Sequence, residues 1–166
     1  MTAVQTEQSL LVPQGTWDVD PVHSAIRFDV IDIDTLAKSI SGRFTDFEGV
    51  LDGDEQRLAG VVRTGSVNTD HEQRDTHLRT ADMLDTARYP EIRFESTGIE
   101  HLEGDRFKLN GALTIKEVPV DVELDVKLHG VGHADGTDRL LFRVLGGIEW
   151  GPTRVEITAD ITAIRR

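Results

Sequence analysis

The chemistry open to this chain lies in six histidines and one dense charged run, Arg74-Asp75-x-His77. His71 and His77 stand six residues apart, and His129 and His133 four apart. A His-x3-His pair chelates a metal well when both rings share one helix face. His129 and His133 fall instead where a strand gives way to a turn holding Gly130, Gly132 and Gly136, and no third ligand is evident. Surface or hydrogen-bonding histidines are the better reading, so no metal is expected. His71, Asp75 and His77 could serve a metal- or His/Asp-assisted hydrolase or isomerase. The competing reading is a structural turn, in which Asp75 accepts backbone donors and Arg74 pairs with a nearby carboxylate. His23 and Ser24, after Pro21, either cap a strand start or lie close to a pocket mouth. No cysteine is present, which excludes thiolate nucleophiles, disulfides, Cys-ligated zinc and iron–sulfur clusters. No Gly-x-Ser-x-Gly run offers a hydrolase elbow. The balance is against catalysis and against a cofactor.

Composition narrows the partners. The 166 residues carry 18 Lys+Arg against 30 Asp+Glu, a net charge of −12, with 38% hydrophobic residues. Neutralising phosphates takes clustered Lys and Arg, so no nucleic-acid partner is expected. The same acidity works against electrostatic capture by an anionic membrane, leaving apolar contact as the route to any lipid. No stretch approaches the ~18 uninterrupted apolar residues of a membrane span, so no stable membrane insertion is expected. Residues 1–13 read as a flexible polar leader before one domain over 14–166. With no basic start and only Leu10-Leu11-Val12 as an apolar run, the opening is not a secretory signal, and a cytoplasmic location is the expectation.

Strands must position these groups, because the dominant period is two. Ile26, Phe28 and Val30 alternate with Arg27 and Asp29, and Leu109, Gly111, Leu113 and Ile115 with Asn110, Ala112 and Thr114. Val118 to Leu128 and Val155 to Ala163 repeat the pattern. One wet and one buried face is the antiparallel signature. Turn residues at Gly49 to Gly53, Glu103 to Asp105 and His133 to Gly136 divide the runs into a meander. Eight or nine strands of roughly 8–13 residues must stack as two sheets or close on themselves, and long strands with few prolines favour closure. Residues 70–87 break the period. Thr69 followed by Glu72 has capping-box spacing and Pro90 ends whatever precedes it, predicting a helix near 70–79 and a turn near 82–87. Both a lid over a barrel end and an ordinary surface loop satisfy that pattern.

The same interval carries a resemblance. Ser66-Val67-Asn68-Thr69, Arg74-Asp75-x-His77-Leu78-Arg79, Asp82-Met83-Leu84-Asp85 and Tyr89-Pro90-Glu91-Ile92-x-Phe94 resemble the ordered signature of the YceI-like family. Trp17-x-x-Asp20-Pro21-x-His23-Ser24, Gly42-x-Phe44-x-x-Phe47-x-Gly49 and Gly111-x-Leu113-Thr114-Ile115-Lys116 extend it from about Trp17 to the C-terminus. The resemblance implies an all-β fold: an extended antiparallel eight-stranded lipocalin-like β-barrel with a short helical insertion near residues 70–87. It further implies a tunnel holding a long-chain lipid of isoprenoid, polyprenyl or isoprenoid quinone type, for binding, sequestration or transport, and a homodimer. A filled barrel acting as an interaction module is a further alternative.

On that frame Ile26, Phe28, Val30, Phe44, Phe94, Leu113, Phe142 and Trp150 are the candidate tunnel contacts. His23, Arg74, Asp75 and His77 are the candidate polar mouth or cap. Trp17 reads as a core or rim aromatic. Inward small residues must leave room for cargo, with Gly42, Gly111, Ala25, Ala59 and Ala112 available, while Gly60, Gly65 and Gly98 are candidate bulges. A chain of about forty carbons would gain near 30 kcal/mol from burial, above the ~18–21 kcal/mol practical ceiling, so such a lipid must exchange with a bilayer rather than with water. Two departures from the family pattern bear on its headgroup. Asp32 stands where the family carries a His, and Gly147-Ile148-Glu149-Trp150-Gly151 lacks the Arg of its Arg-x-Asp-Phe-Gly run.

Overall fold

The computed structural model describes residues 12–166, so the expected leader lies, up to residue 11, outside the described residues. Val12 packs against the core and the Pro13 carbonyl accepts from the Trp17 ring N–H at 3.3 Å. The strands are β1 (Thr16–Val19), β2 (Ala25–Asp32), β3 (Lys38–Phe44), β4 (Phe47–Asp52), β5 (Arg57–Arg63) and β6 (Val67–Asn68). After the helix α1 (Glu72–Leu78) come β7 (Glu91–Glu103), β8 (Arg106–Ile115), β9 (Val118–Ala134), β10 (Thr137–Trp150) and β11 (Thr153–Arg165).

These segments make eight barrel strands, because three are broken in two. β1 and β2 both run along β11, with Trp17 opposite Arg165 and Phe28 opposite Ile157. β3 with β4, and β5 with β6, are interrupted likewise, the latter at a 3₁₀ turn over Thr64–Ser66. Neighbours pair antiparallel around the ring, and β1 against β11 closes it. Closure leaves few exposed ladder edges. Among the described residues β6 does not pair with β7, and the segment carrying α1 connects the two. Thr64 ties that segment's return, donating its N–H to the Pro90 carbonyl at 2.9 Å and its hydroxyl to Tyr89 at 2.8 Å.

Alternation sets the inner face as expected: Leu140, Phe142, Val144 and Ile148 of β10 are buried while Leu141, Arg143 and Leu145 face out. The barrel is packed unevenly along its axis. Trp17, Leu51, Leu140 and Ala163, with Phe142, Val144, Ala159 and Ile161, fill one half. The Arg165 guanidinium lies 4.5 Å from the Trp17 ring centroid and covers that end.

Several local expectations change. Gly49 is not in a turn but inside β4; the turn comes later, where Asp52 accepts the N–H groups of Asp54 and Glu55, both at 3.0 Å, and Gln56 takes a φ of 55°. Gly98 does mark a register shift in β7, and Gly65 sits in the 3₁₀ turn, whereas Gly60 pairs in unbroken register with Gly49 and Phe94. The β8–β9 hairpin turns on Lys116 and Glu117, both at positive φ of 51° and 63°, where no glycine or asparagine signalled a turn.

Candidate functional site

The half of the barrel opposite Trp17 encloses a cavity of about 470 Å³ whose wall exposes almost no polar surface. Ile26, Phe28, Val30, Phe44, Phe94, Leu113, Phe142 and Trp150 all stand in this wall. Their positions follow from the pleat. Phe28 of β2 faces Gly42 of β3, and Phe94 of β7 faces Gly60 on one side and Leu113 on the other. Residues not named among the tunnel contacts also contribute, notably Ile40, Gly49, Gly60, Val62 and Ile148. Ile148 was legible, since it continues the alternation that links Phe142 to Trp150.

Small residues act differently from the expectation that they leave room for cargo. A side chain at Gly42 would come within 2.7 Å of the Phe28 ring, and one at Gly111 within 2.7 Å of the Phe94 ring. These two glycines seat the aromatic rings that line the hollow. Ala25 and Ala112 do not reach the wall, and Ala59 borders it from an exposed, outward-facing position between Leu58 and Gly60. The free space beside Gly60 is a true vacancy in the wall, because a Cβ there meets only the Glu48 carbonyl, at 3.4 Å.

The cavity is not a tunnel through the barrel. Leu58, Leu109 and Phe142 separate it from a second void of about 40 Å³ within the packed half. At the ~30 Å³ that one small group takes up in a liquid, 470 Å³ accommodates about fifteen carbons.

Of the two readings of residues 70–87, the structure selects the cap: Leu78, Met83 and Leu84 line the cavity. Thr69 is not the N-cap of α1. That role falls to His71, whose Nδ1 accepts the Arg74 N–H at 3.1 Å. Thr69 instead donates its N–H and hydroxyl to one oxygen of the buried Asp75, at 2.9 and 2.6 Å. Burial by itself would raise the Asp75 carboxyl, but those two hydrogen bonds and the charges of Arg79 and Arg74 outweigh it and hold the group below the usual carboxylate range. Among the described residues Arg74 forms no ion pair with a carboxylate; it donates to the Thr69 hydroxyl and carbonyl, both at 2.9 Å. Arg79 holds the Gly65 and Val67 carbonyls at 3.0 and 3.2 Å. Lys116, from the β8–β9 hairpin, straps the far side of the cap through the Met83 carbonyl at 3.1 Å and that of Ala81 at 3.4 Å.

Arg74, Asp75 and His77 thus belong to the cap, with none of them in the cavity wall. His23 is on the barrel flank, in the break between β1 and β2, with its exposed ring 2.6 Å from Asp20. The structure does not bring it to the other three. Among the described residues, no group of three or more His, Asp or Glu could hold a metal ion. Asp32 serves the β2–β3 turn, accepting the N–H groups of Asp34 and Thr35 at 2.9 Å; the bond from Thr35 leads in keeping its carboxyl below the usual range. The guanidinium of Arg154 lies beside Gly147, within 2.8 Å of where a Cβ would stand, so a positive charge from β11 occupies the outer face near the lost arginine.

Residues 17–163 match the sequence model of the family described as YceI-like domain. Protein YceI of Escherichia coli O157:H7 is 42% identical over 96 residues, covering 55% of this chain and 50% of that protein. A UPF0312 protein of Pectobacterium atrosepticum is 35% identical over 130 residues, covering 75% of this chain and 66% of its own length. The chain spans about half the length of the first of these relatives. The crystal structure of a Campylobacter jejuni YceI protein superposes with a TM-score of 0.73 at 25% identity, covering 78% of this chain and 87% of that one. A domain from Saccharophagus degradans, described as polyisoprenoid binding, does so with a TM-score of 0.71 at 16% identity, covering 90% and 98%.

Proposed function

Because this chain belongs to the YceI-like family, we propose that its cavity binds the end of a long apolar lipid chain of isoprenoid type, sequestering or carrying it without catalysis. The observation that carries this reading is the 470 Å³ hollow with an almost wholly apolar wall. Such volumes are typical of small-molecule sites, but those usually add a few converging polar groups, whereas the described residues give this wall almost no polar surface. The site is suited to a hydrocarbon, with any headgroup outside. The polyisoprenoid-binding description of the Saccharophagus degradans domain lends the isoprenoid class support through the shared fold.

Burying about fifteen carbons is worth roughly 12 kcal/mol relative to water. A lipid in a bilayer is already in an apolar medium, so exchange between membrane and cavity is close to neutral. Near-neutral exchange permits both loading and release, which is what a carrier needs. The hydrolase or isomerase reading has less in its favour: His71 spends its Nδ1 on the cap of α1 and Asp75 an oxygen on Thr69. A solidly filled interaction module is disfavoured by the hollow itself. Homodimerisation and a cytoplasmic location remain part of the proposal, the former read by light scattering. The central test is organic extraction of the purified protein followed by mass spectrometry. A stoichiometric prenyl-type lipid is expected. Protein that carries no lipid, and takes up no farnesol from detergent micelles, overturns the proposal.

A further inference from the structure

We infer that the cavity end of the barrel docks reversibly on a neutral or zwitterionic lipid surface, through the tips of three hairpins. The inference rests on the lipid-chain reading of the cavity.

The hairpins β2–β3, β8–β9 and β10–β11 all turn at this end. Each tip exposes apolar side chains: Leu36 at 78% and Ile33 at 42%, Val118 at 60%, and Trp150 at 39%. The first and third tips are neighbours, since the Ile33 N–H donates to the Pro152 carbonyl at 3.2 Å. Trp150 also lines the cavity, so the exposed rim and the apolar hollow are one continuous surface.

Leu36 is the most telling of the four. It sits at φ 59°, in the left-handed region where Gly, Asn or Asp is favoured and a branched apolar residue is strained. At 78% exposure it has no packing to offset that strain. Neither the turn nor the core asks for leucine there, whereas an apolar surface outside the protein would. Trp150 has the amphipathic ring that sits well at a membrane interface.

Charge and area then choose the occupant. Beside the apolar groups stand exposed Asp34, Glu117 and Glu149, one acid at each tip. Of the nearby cations, Lys38 pairs with Asp29 at 3.4 Å, Arg154 pairs with Glu156 at 3.6 Å, and Lys116 keeps its charge while donating to the cap carbonyls. The tips are close to charge balance, so it is the net charge of −12 on the whole chain that anionic lipid repels and a zwitterionic surface tolerates. The four exposed side chains present on the order of 400 Å², about half of the ~800 Å² each partner contributes to a stable protein interface. Shallow apolar insertion needs no such area.

The test uses the full chain with phosphatidylcholine vesicles in flotation, with Trp150 emission as a second readout, since Trp17 is fully buried. Wild type is expected to float with the vesicles and shift its emission to the blue, unaffected by 0.5 M salt, and to bind less as phosphatidylglycerol replaces phosphatidylcholine. Leu36→Asn is expected to lose about tenfold in vesicle binding. Its melting temperature should not fall, because Asn accepts this backbone conformation better than Leu. Its farnesol uptake from octyl glucoside micelles should be unchanged. Absence of vesicle binding by wild type, binding that appears only with anionic lipid and vanishes in salt, or equal binding by Leu36→Asn overturns the inference. So does a dimer that Leu36→Asn dissociates, which would make a second copy the occupant. Failure of micelle loading in wild type sinks the lipid-chain reading; failure on vesicles with loading intact sinks only the docking.

Discussion

Filling the vacancy at Gly60 offers a quantitative probe of the cavity. Leu58, Gly60 and Val62 share the inner face of β5, and a Cβ at Gly60 meets only the Glu48 carbonyl, at 3.4 Å. Gly60→Leu therefore points its side chain into the hollow with its Cβ in ordinary contact, adding four carbons there. At ~30 Å³ each they take up about 120 Å³, a quarter of the 470 Å³. A bound chain that fills the cavity loses about four methylenes of burial, or ~3 kcal/mol, which weakens binding roughly 100-fold. The fold moves the other way. Replacing a strand glycine removes about 0.5–1 kcal/mol of backbone entropy cost, raising Tm by about 1–4 °C in a chain this size. Titrating linear prenols of ten, fifteen and twenty carbons reads both effects without a membrane. Wild-type affinity is expected to climb with length and level off near fifteen carbons, and the variant's to level off near eleven. A folded Gly60→Leu whose plateau stays at the wild-type length would refute the assignment of this hollow as the chain site.

Three further outcomes follow from individual contacts. Phe142→Ala removes part of the wall between the two voids; it should cost ~3–5 kcal/mol in urea denaturation and move the prenol plateau to longer chains. Asp75→Asn should cost ~1–3 kcal/mol near neutral pH through its two bonds from Thr69. The folded carboxyl is depressed, so its contribution is present above the ordinary carboxylate pKa and lost as pH falls through the lower folded value. The stability gap between wild type and Asp75→Asn should then narrow below about pH 4, and denaturation curves at stepped pH check it. Lys116→Met frees the Met83 and Ala81 carbonyls; hydrogen exchange over residues 80–88 should accelerate severalfold while the barrel strands stay protected.

The period-two pattern was enough to read the barrel wall, because an alternating strand has only two faces and one must be buried. That is why Phe28, Phe94, Leu113 and Phe142 could be assigned to the interior, and why Ile148 could have been. The helix was legible too, though not its cap: Thr69–Glu72 has the capping-box spacing while His71, followed three residues later by Arg74, does not, and only the buried Asp75 decides which side chain Thr69 serves. The Lys116-Glu117 turn was invisible because neither residue type favours left-handed backbone.

What no local pattern determines is how far the inner faces meet across the axis. Trp17 and Phe28 both alternate inward, yet one is fully buried in the packed half while the other borders open space. Gly42 and Gly60 are both inward glycines on strands, but Phe28 fills the space above the first and nothing fills that above the second. Alternation fixes the direction of a side chain. Whether it meets a partner depends on strands far apart in sequence, so the hollow, its closed end and its apolar rim were settled only when the ring closed.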